Sequence, residues 1–268
     1  MITQFKTPFK TPMCAVVFLA AACLQGNSIY VLGQSEAVQD GVAATTTGAA
    51  EQTPEQTPEE KLKYPLVYST DFEKGIENWE LMGNSWKVVE RNGSKVLSLH
   101  QKASDLKPKH RSPLHLAMLK DVQVSDFTLD VRVLSTHPDY GHRDVCLFFG
   151  YQGPTQFYYV HLGQKADPRC NQIFIVNQAD RTKISLTTTE GTPWDDQWHD
   201  VRIIRHADSG EIAIYFDDMK TPAMTAKDKT FSWGRVGLGS FDDTADFDDL
   251  KLHGIEIKSP AATEATEP

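Results

Sequence analysis

Apolar residues recur at every second position through short runs along most of the chain, the period of a strand with one buried face. "LVYSTDF" opens the series. "SWKVVE", "KVLSLHQ", "HLAMLK", "FTLDVRVLS", "DVCLFFGYQ", "QFYYVHLG", "NQIFIVNQ", "TKISLTT", "WHDVRIIRH", "GEIAIYFDD", "RVGLGSF" and "FDDLKLHGIEI" follow. Turn residues stand between the runs: Asn92-Gly93, Ser209-Gly210, "QGP" at 152–154 and Gly234 before Arg235. About a dozen short strands with frequent turns and no amphipathic helical stretch among them predict an all-β fold. The expected form is a two-sheet antiparallel β-sandwich of jelly-roll type.

The same period assigns faces. In "HRDVCLFFGYQ", Val145, Leu147 and Phe149 share one side, and His142, Asp144, Cys146 and Phe148 the other. In "QFYYVHLG", Tyr158, Val160 and Leu162 alternate with Phe157, Tyr159 and His161. The more aliphatic row is expected in the core. That places Phe157, Tyr159 and His161, with His142 and Asp144, on an exposed sheet face. In the closing run, inward Leu250 and Leu252 predict an inward Asp248, with Asp249 and Lys251 outward. A carboxylate at a core edge is costly unless paired or bound to a cation.

The two ends lack this patterning. Lys6 and Lys10 precede the apolar run "MCAVVFLAAACLQG" from Met13 to Gly26, which reads as an export signal too short to span a bilayer. Residues 35–60 contain no aromatic residue and carry the echo "EQTPEQTPE", a linker composition, and "KSPAATEATEP" ends the chain similarly. The expected organisation is a leader over 1–26, a linker over 27–63, a β-sandwich over 64–258 and a tail over 259–268. The protein is expected to be secreted, periplasmic or at the cell surface, with no transmembrane span after processing. Ala20-Ala21-Ala22-Cys23 resembles a lipoprotein processing site, so a lipid anchor at Cys23 stands beside a soluble product cut after Ala37.

The formal charge of −9 falls to −11 once the two leader lysines are removed. With no basic run and no weave of cations and aromatics, nucleic acid is excluded as a partner. No glycine-rich fingerprint links a strand to a helix, so nucleotide and dinucleotide cofactors are not expected either. Cys14 and Cys23 belong to the leader. Cys146 and Cys170 lie on or beside neighbouring predicted strands, where a disulfide and two separate buried thiols both remain open.

The candidate chemistry begins with acids. "FDDTADFDDLKLHG" ends the domain and "YSTDFEKGIENW", with Asp71, Glu73 and Glu77, begins it. First and last strands of a sandwich are often neighbours, so the two patches can serve one hard cation such as Ca2+. "DFEKGIENW" and "DFDDLKLHG" resemble the paired ends of calcium-binding β-sandwich carbohydrate modules. The whole domain resembles the concanavalin A-like lectin/glucanase superfamily, including laminin G-like domains. That resemblance implies a structural Ca2+ held by Asp71, Glu73 and Asp248, with Asp249 able to replace Asp248. Asp242, Asp243 and Asp246 are expected in the turn before the strand.

An enzyme needs more. The Glu-x-Asp-x-x-Glu arrangement of the superfamily's glucanases is absent, and Asp217 and Asp218 fall on opposite faces of a strand end. A lyase constellation can be drawn from His142, Arg143, Tyr159, His161 and Gln172, with "NQIF" resembling the Gln-Ile-His strand of sandwich lyases except for Phe174 in the histidine place. A binding face can be drawn from His142, Asp144, Phe157, Tyr159 and His161, with loop-borne Trp194 as a stacking platform. His142, His161 and Asp144 could also meet at zinc, although their spacing is not diagnostic. Arg202 and Arg205 read as edge decoration on opposite faces. The reading carried forward is an exported, calcium-stabilised β-sandwich that binds carbohydrate. Its rivals are a polysaccharide lyase or glycoside hydrolase, and a laminin G-like protein-interaction domain.

Overall fold

A computed structural model describes residues 63–258; the leader, nearly all of the linker and the tail lie outside the described residues. Among the described residues, sixteen strands form two sheets in which every pairing is antiparallel. Among the described residues no helix is long and apolar enough to cross a membrane.

The nine-stranded sheet contains β1 (Leu66–Thr70), β3 (Trp86–Arg91), β4 (Ser94–Leu99), β6 (Val124–Ser135), β11 (Ser185–Thr188), β12 (His199–His206), β13 (Glu211–Phe216), β14 (Met224–Lys227) and β16 (Ala245–Glu256). Its order is β11-β14-β13-β12-β6-β16-β4-β3, with β1 also paired to β16. The seven-stranded sheet contains β2 (Trp79–Met82), β5 (His115–Leu119), β7 (Asp144–Gly153), β8 (Gln156–Gly163), β9 (Gln172–Asn177), β10 (Thr182–Lys183) and β15 (Arg235–Ser240). Its order is β10-β9-β8-β7-β15-β5-β2. The sandwich is therefore the fold its alternation predicts, with the first and last strands neighbours. Short strands β2, β10 and β14 are additions that the pattern alone does not isolate.

Local chemistry sets the hairpins. Asn92 and Gly93 have φ of 51° and 86°, and Arg91 pairs with Ser94, so two left-handed residues close β3 onto β4. The inner rows meet as expected: Val145, Leu147, Phe149, Tyr158, Val160 and Leu162 pack against Leu129, Val131, Val133, Val201 and Ile203. Arg205 is not edge decoration. It lies inside this layer, with its guanidinium over the Tyr158 ring at 5.4 Å and one bond to the Phe231 carbonyl at 3.2 Å.

The closing strand corrects one facing. Phe247 pairs with Val133 and Asp248 with Arg132, but the next regular pair is Lys251 with Asp130. A bulge intervenes, Asp249 sits at φ 47°, and β16 exchanges β4 for β1 as its neighbour. The extra residue reverses the alternation. Leu250 and Leu252 point inward, whereas Asp248 shares the outer side with Arg132.

Candidate functional site

The row expected to be exposed is buried. Cys146, His161 and Gln172 stand opposite one another on β7, β8 and β9, and Phe148, Tyr159 and Phe174 form the next such row. With Leu116, Met118, Tyr151, Phe157 and Val176 they make a second apolar layer on the outer side of the seven-stranded sheet. Phe157, Tyr159 and His161 are nevertheless at most 5% exposed. A layer this aromatic is stable in water only under cover.

The cover is the connection between β4 and β5, residues 100–114. Near its start the Ala103 carbonyl accepts from Ser85 Oγ at 2.8 Å. Leu106 packs on the aromatic layer beside Met82 and Phe241. At its far end the Arg111 N–H reaches Asp180 Oδ1 at 2.9 Å, and the Arg111 carbonyl accepts from the Arg181 N–H at 3.1 Å. The segment thus spans the sheet from the β2–β3 turn to the β9–β10 turn. Arg181 seals the corner: its guanidinium lies 4.6 Å from the Phe174 ring centre and 4.4 Å from that of Phe241, and Nη1 donates to the Tyr159 hydroxyl at 2.8 Å.

This arrangement withdraws the lyase constellation. Burial raises the Tyr159 phenol far above its ordinary range, so it holds its proton at any physiological pH. Arg143 is buried, giving its donors to Ser135 Oγ, the Ser135 and Asp195 carbonyls and Asp196 Oδ1 between 2.7 and 3.1 Å. Gln172 donates to the Asp167 carbonyl at 3.0 Å beneath the surface. His142 alone of the expected set is exposed, and its Nε2 lies 3.7 Å from Asp167, away from Asp144 and His161. The zinc triad with His142 is therefore not assembled. Trp194 is no platform: 5% exposed, it donates from Nε1 to the Leu162 carbonyl at 2.8 Å and packs edge-on against His199 and Phe216. Cys146 and Cys170 are both buried and free, so the disulfide alternative is not formed.

At one end of the covered layer, Asp144 and Asp243 organise a polar network. Burial opposes ionisation of Asp144, yet the adjoining His161 ring and the Phe241 N–H and Ser240 hydroxyl hold its carboxyl below the usual range. Asp243, fully buried, accepts from the Tyr140 hydroxyl at 2.8 Å and the Asp144 N–H at 3.0 Å. His137 and Lys102 lie 3.3 and 3.4 Å from its other oxygen. Burial, then the Asp144 charge, pushes its carboxyl up. Asp242 and Asp243 do occupy the turn before the closing strand, whereas Asp246 belongs to β16 and ion-pairs with Arg91 at 2.6 Å.

The four acids expected to share Ca2+ are not gathered as a set. Glu73 Oε1 accepts from the Lys95 N–H at 2.7 Å and Ser94 Oγ at 3.0 Å, anchoring the β3–β4 hairpin. Asp249 pairs outward with Arg132 at 3.2 Å. Asp71 and Asp248 remain, close enough that burial, Asp249 and Asp71 all push the Asp248 carboxyl up. Two carboxylates are a smaller donor set than the sequence implied. Carbonyl oxygens would have to supply the rest.

The opposite outer face is open. On β6, β12 and β16 of the nine-stranded sheet, Asp130, Arg132, Asp200, Arg202, Asp249 and Lys251 line a groove of about 410 Å³ with Met219 at its side. Arg202 meets Asp130 in a two-pronged pair at 2.6 and 3.2 Å. Arg132, paired to Asp249, lies 5.3 Å above the half-buried Trp198 ring. Asp130, Arg132, Asp200 and Arg202 are polar members of "FTLDVRVLS" and "WHDVRIIRH", and Asp249 and Lys251 come from the closing run. Their signal is visible once the polar positions of an alternating strand are read as a surface of their own.

No protein-family model matches the chain, and no curated protein matches it in sequence. Among solved structures it is similar to a carbohydrate-binding module, CBM66, from Bacillus subtilis, at 18% identity over 67% of this chain and 97% of that one, with a TM-score of 0.48. A Bacillus subtilis protein with a galectin-like fold is 12% identical over 74% of this chain and all of that one, with a TM-score of 0.49. Winged bean acidic lectin, complexed with methyl-α-D-galactose, is 14% identical over 71% and 98%, with a TM-score of 0.47. Each of these proteins is less than 20% identical to the chain, and none of them assigns it a family or a ligand.

Proposed function

We propose that this protein binds carbohydrate without turning it over, in the groove on the outer face of the nine-stranded sheet. The observation that carries this reading is the pairing of planar groups, Asp130 with Arg202 and Arg132 with Asp249, on adjacent strands beside Trp198. Rigid carboxylate and guanidinium forks offer two hydrogen bonds each at the spacing of vicinal hydroxyls, and their mutual pairing holds them in place before a ligand arrives. Met219 gives the groove an apolar side for sugar C–H faces, and the Trp198 ring beneath Arg132 backs that guanidinium. Catalysis finds no support in the closed face, whose phenol, imidazole and guanidinium are all committed below the surface.

Export through the 1–26 leader, with a lipid anchor at Cys23 as its variant, belongs to the same reading and is checked by the mass of the mature N-terminus. Calcium remains part of it only at Asp71 and Asp248. The test is affinity electrophoresis against a polysaccharide panel that includes uronate-containing chains, with product detection in parallel. The expected result is retardation by at least one polysaccharide, weakened at least tenfold in Asp130→Ala/Arg202→Ala, with no unsaturated products and no new reducing ends. Turnover would move the protein to the enzyme class. No retardation by any member would leave the protein-interaction reading in its place.

A further inference from the structure

The covered face holds a group of donors that its structural role does not explain. Asp144, Cys146 and His161 each present one ligand atom, all within 4.8 Å of one another, and all three residues are buried. They come from two adjacent strands of the rigid seven-stranded sheet, Cys146 directly opposite His161 and Asp144 two residues before Cys146. Asp144 stands opposite Gly163, where a Cβ would lie 1.9 Å from Cys170 Sγ. Only glycine leaves that space.

The histidine fixes the meaning of the cluster. Its Nδ1 lies 2.9 Å from the Arg169 carbonyl, which can only accept, so Nδ1 carries the proton. Nε2 faces Asp144 Oδ2 at 3.0 Å in a side chain that is 7% exposed. As a lone pair it would set acceptor against acceptor, so this contact is favourable only with a second ring proton or a cation between the two atoms. A backbone carbonyl holding the remote ring nitrogen is the usual outer support of a metal-bound histidine. Cys146 Sγ lies 3.4 Å from the same Asp144 oxygen. Both separations are close to the roughly 3.3–3.6 Å edges of a tetrahedron built with ordinary Zn–N, Zn–O and Zn–S lengths. Gln172, opposite His161 on β9, adds a buried side-chain oxygen that lacks a partner.

We propose that Asp144, Cys146 and His161 form a closed structural Zn2+ site under the 100–114 connection, with the Gln172 oxygen as the fourth donor. One sulfur, one imidazole nitrogen and carboxylate and amide oxygens suit zinc, whereas calcium takes oxygen alone. Zn2+ displaces the Cys146 thiol proton, and any proton on His161 Nε2, to solvent; sulfur and nitrogen keep the electron pairs they donate. The ion stitches β7 to β8 and β9 beneath Phe241, whose ring stacks on His161 at 5.8 Å. The site is independent of the sugar groove on the other sheet, and either assignment can fail without the other.

The experiment uses the untagged full chain, purified with and without ZnCl2 and dialysed. Elemental analysis is expected to give one zinc per chain, and chelation to lower Tm by at least about 5 °C, restored by ZnCl2. Co2+ exchanged into the stripped chain is expected to give thiolate-to-metal charge-transfer absorption. Cys146→Ala and His161→Gln should lose that absorption, and Cys170→Ala should keep it. If those two variants do not fold, the wild-type stoichiometry and cobalt spectrum decide alone. Less than about 0.2 zinc per chain with no Tm response to ZnCl2, or a cobalt–thiolate band that follows Cys170 instead of Cys146, overturns the proposal.

Discussion

The two sheets turn very different outer faces to their surroundings. Outside the seven-stranded sheet lies a continuous aromatic layer, with Phe148, Phe157, Tyr159 and Phe174 sealed under a fifteen-residue connection and pinned by Arg181. Outside the nine-stranded sheet, Asp130, Arg132, Asp200 and Arg202 alternate with core residues along β6 and β12 and stay open to water. The first face has the residues usually sought in a sugar site and no access. The second has access, and polar groups already held in geometry. Residue type alone does not separate the two faces, because availability depends on a segment with no regular structure of its own.

The comparison is broken most severely by cutting into the covered layer. Phe148 is fully buried between Phe157 and Tyr159, with ring centres 5.9 Å away on both sides. Phe148→Ala should cost about 3–5 kcal/mol in urea unfolding. Tyr215→Ala, on the open face, should cost less than about 1 kcal/mol. Similar losses at the two positions would mean that the aromatic layer is not a second core.

The cover itself comes next. Leu106→Asp sets a carboxylate where the segment packs on aromatic rings, at a cost of about 2 kcal/mol. Binding of a hydrophobic dye should appear in the variant at temperatures where the sandwich remains folded. Unchanged stability with no dye binding would show that the 100–114 segment does not close this face. If polysaccharide retardation rose in the same variant, the covered rings would replace the groove as the sugar site.

On the open face the expected stability effects are small. A double-mutant cycle on Asp130 and Arg202 should return a coupling of at most about 1 kcal/mol, since both side chains are about a quarter exposed. Polysaccharide retardation should nevertheless fall at least tenfold, and that separation of stability from binding is the signature of a surface kept for a ligand. A coupling well above this with binding unchanged would make the pair a structural clasp.

Much of this was legible in the alternation, and the failures have physical causes. The strand runs and the pairing of the first strand with the last need only period two and the usual closure of a sandwich. Period two also divides β7 and β8 correctly into Val145, Leu147 and Phe149 on one side and Asp144, Cys146 and Phe148 on the other. It does not say that both sides are covered. That depends on Leu106 and Arg181, which touch the layer from 100–114 and the β9–β10 turn, far from it in sequence. His161 lies on the strand its pattern predicts and lacks the expected access, whereas His142 keeps its access but lies in the turn before β7. Asp248 failed differently: one inserted residue with positive φ at Asp249 reversed a parity argument that was sound on either side of it.

Asp248 also supplies the subtlest test. Its carboxyl is pushed above the ordinary aspartate value, first by burial and then by the charges of Asp249 and Asp71, with Arg132 opposing them. The sign follows from linkage: a raised carboxyl is more favourable protonated, so its contribution is present below the unfolded value near 3.8 and is lost as pH rises through the folded value. At pH 7 the ionised group is a burden, and Asp248→Asn, which keeps the acceptor for the Asp249 N–H at 2.8 Å, should raise Tm by about 1–2 °C in chelator. The difference should vanish near pH 3, where both side chains are neutral. Millimolar calcium should then reverse the order at pH 7 if Asp71 and Asp248 hold the ion, because the wild type alone gains from binding. An asparagine variant that stays the more stable with and without calcium would leave this edge as a strained pair of acids, costing stability where the ion pairs in the groove of the same sheet cost almost none.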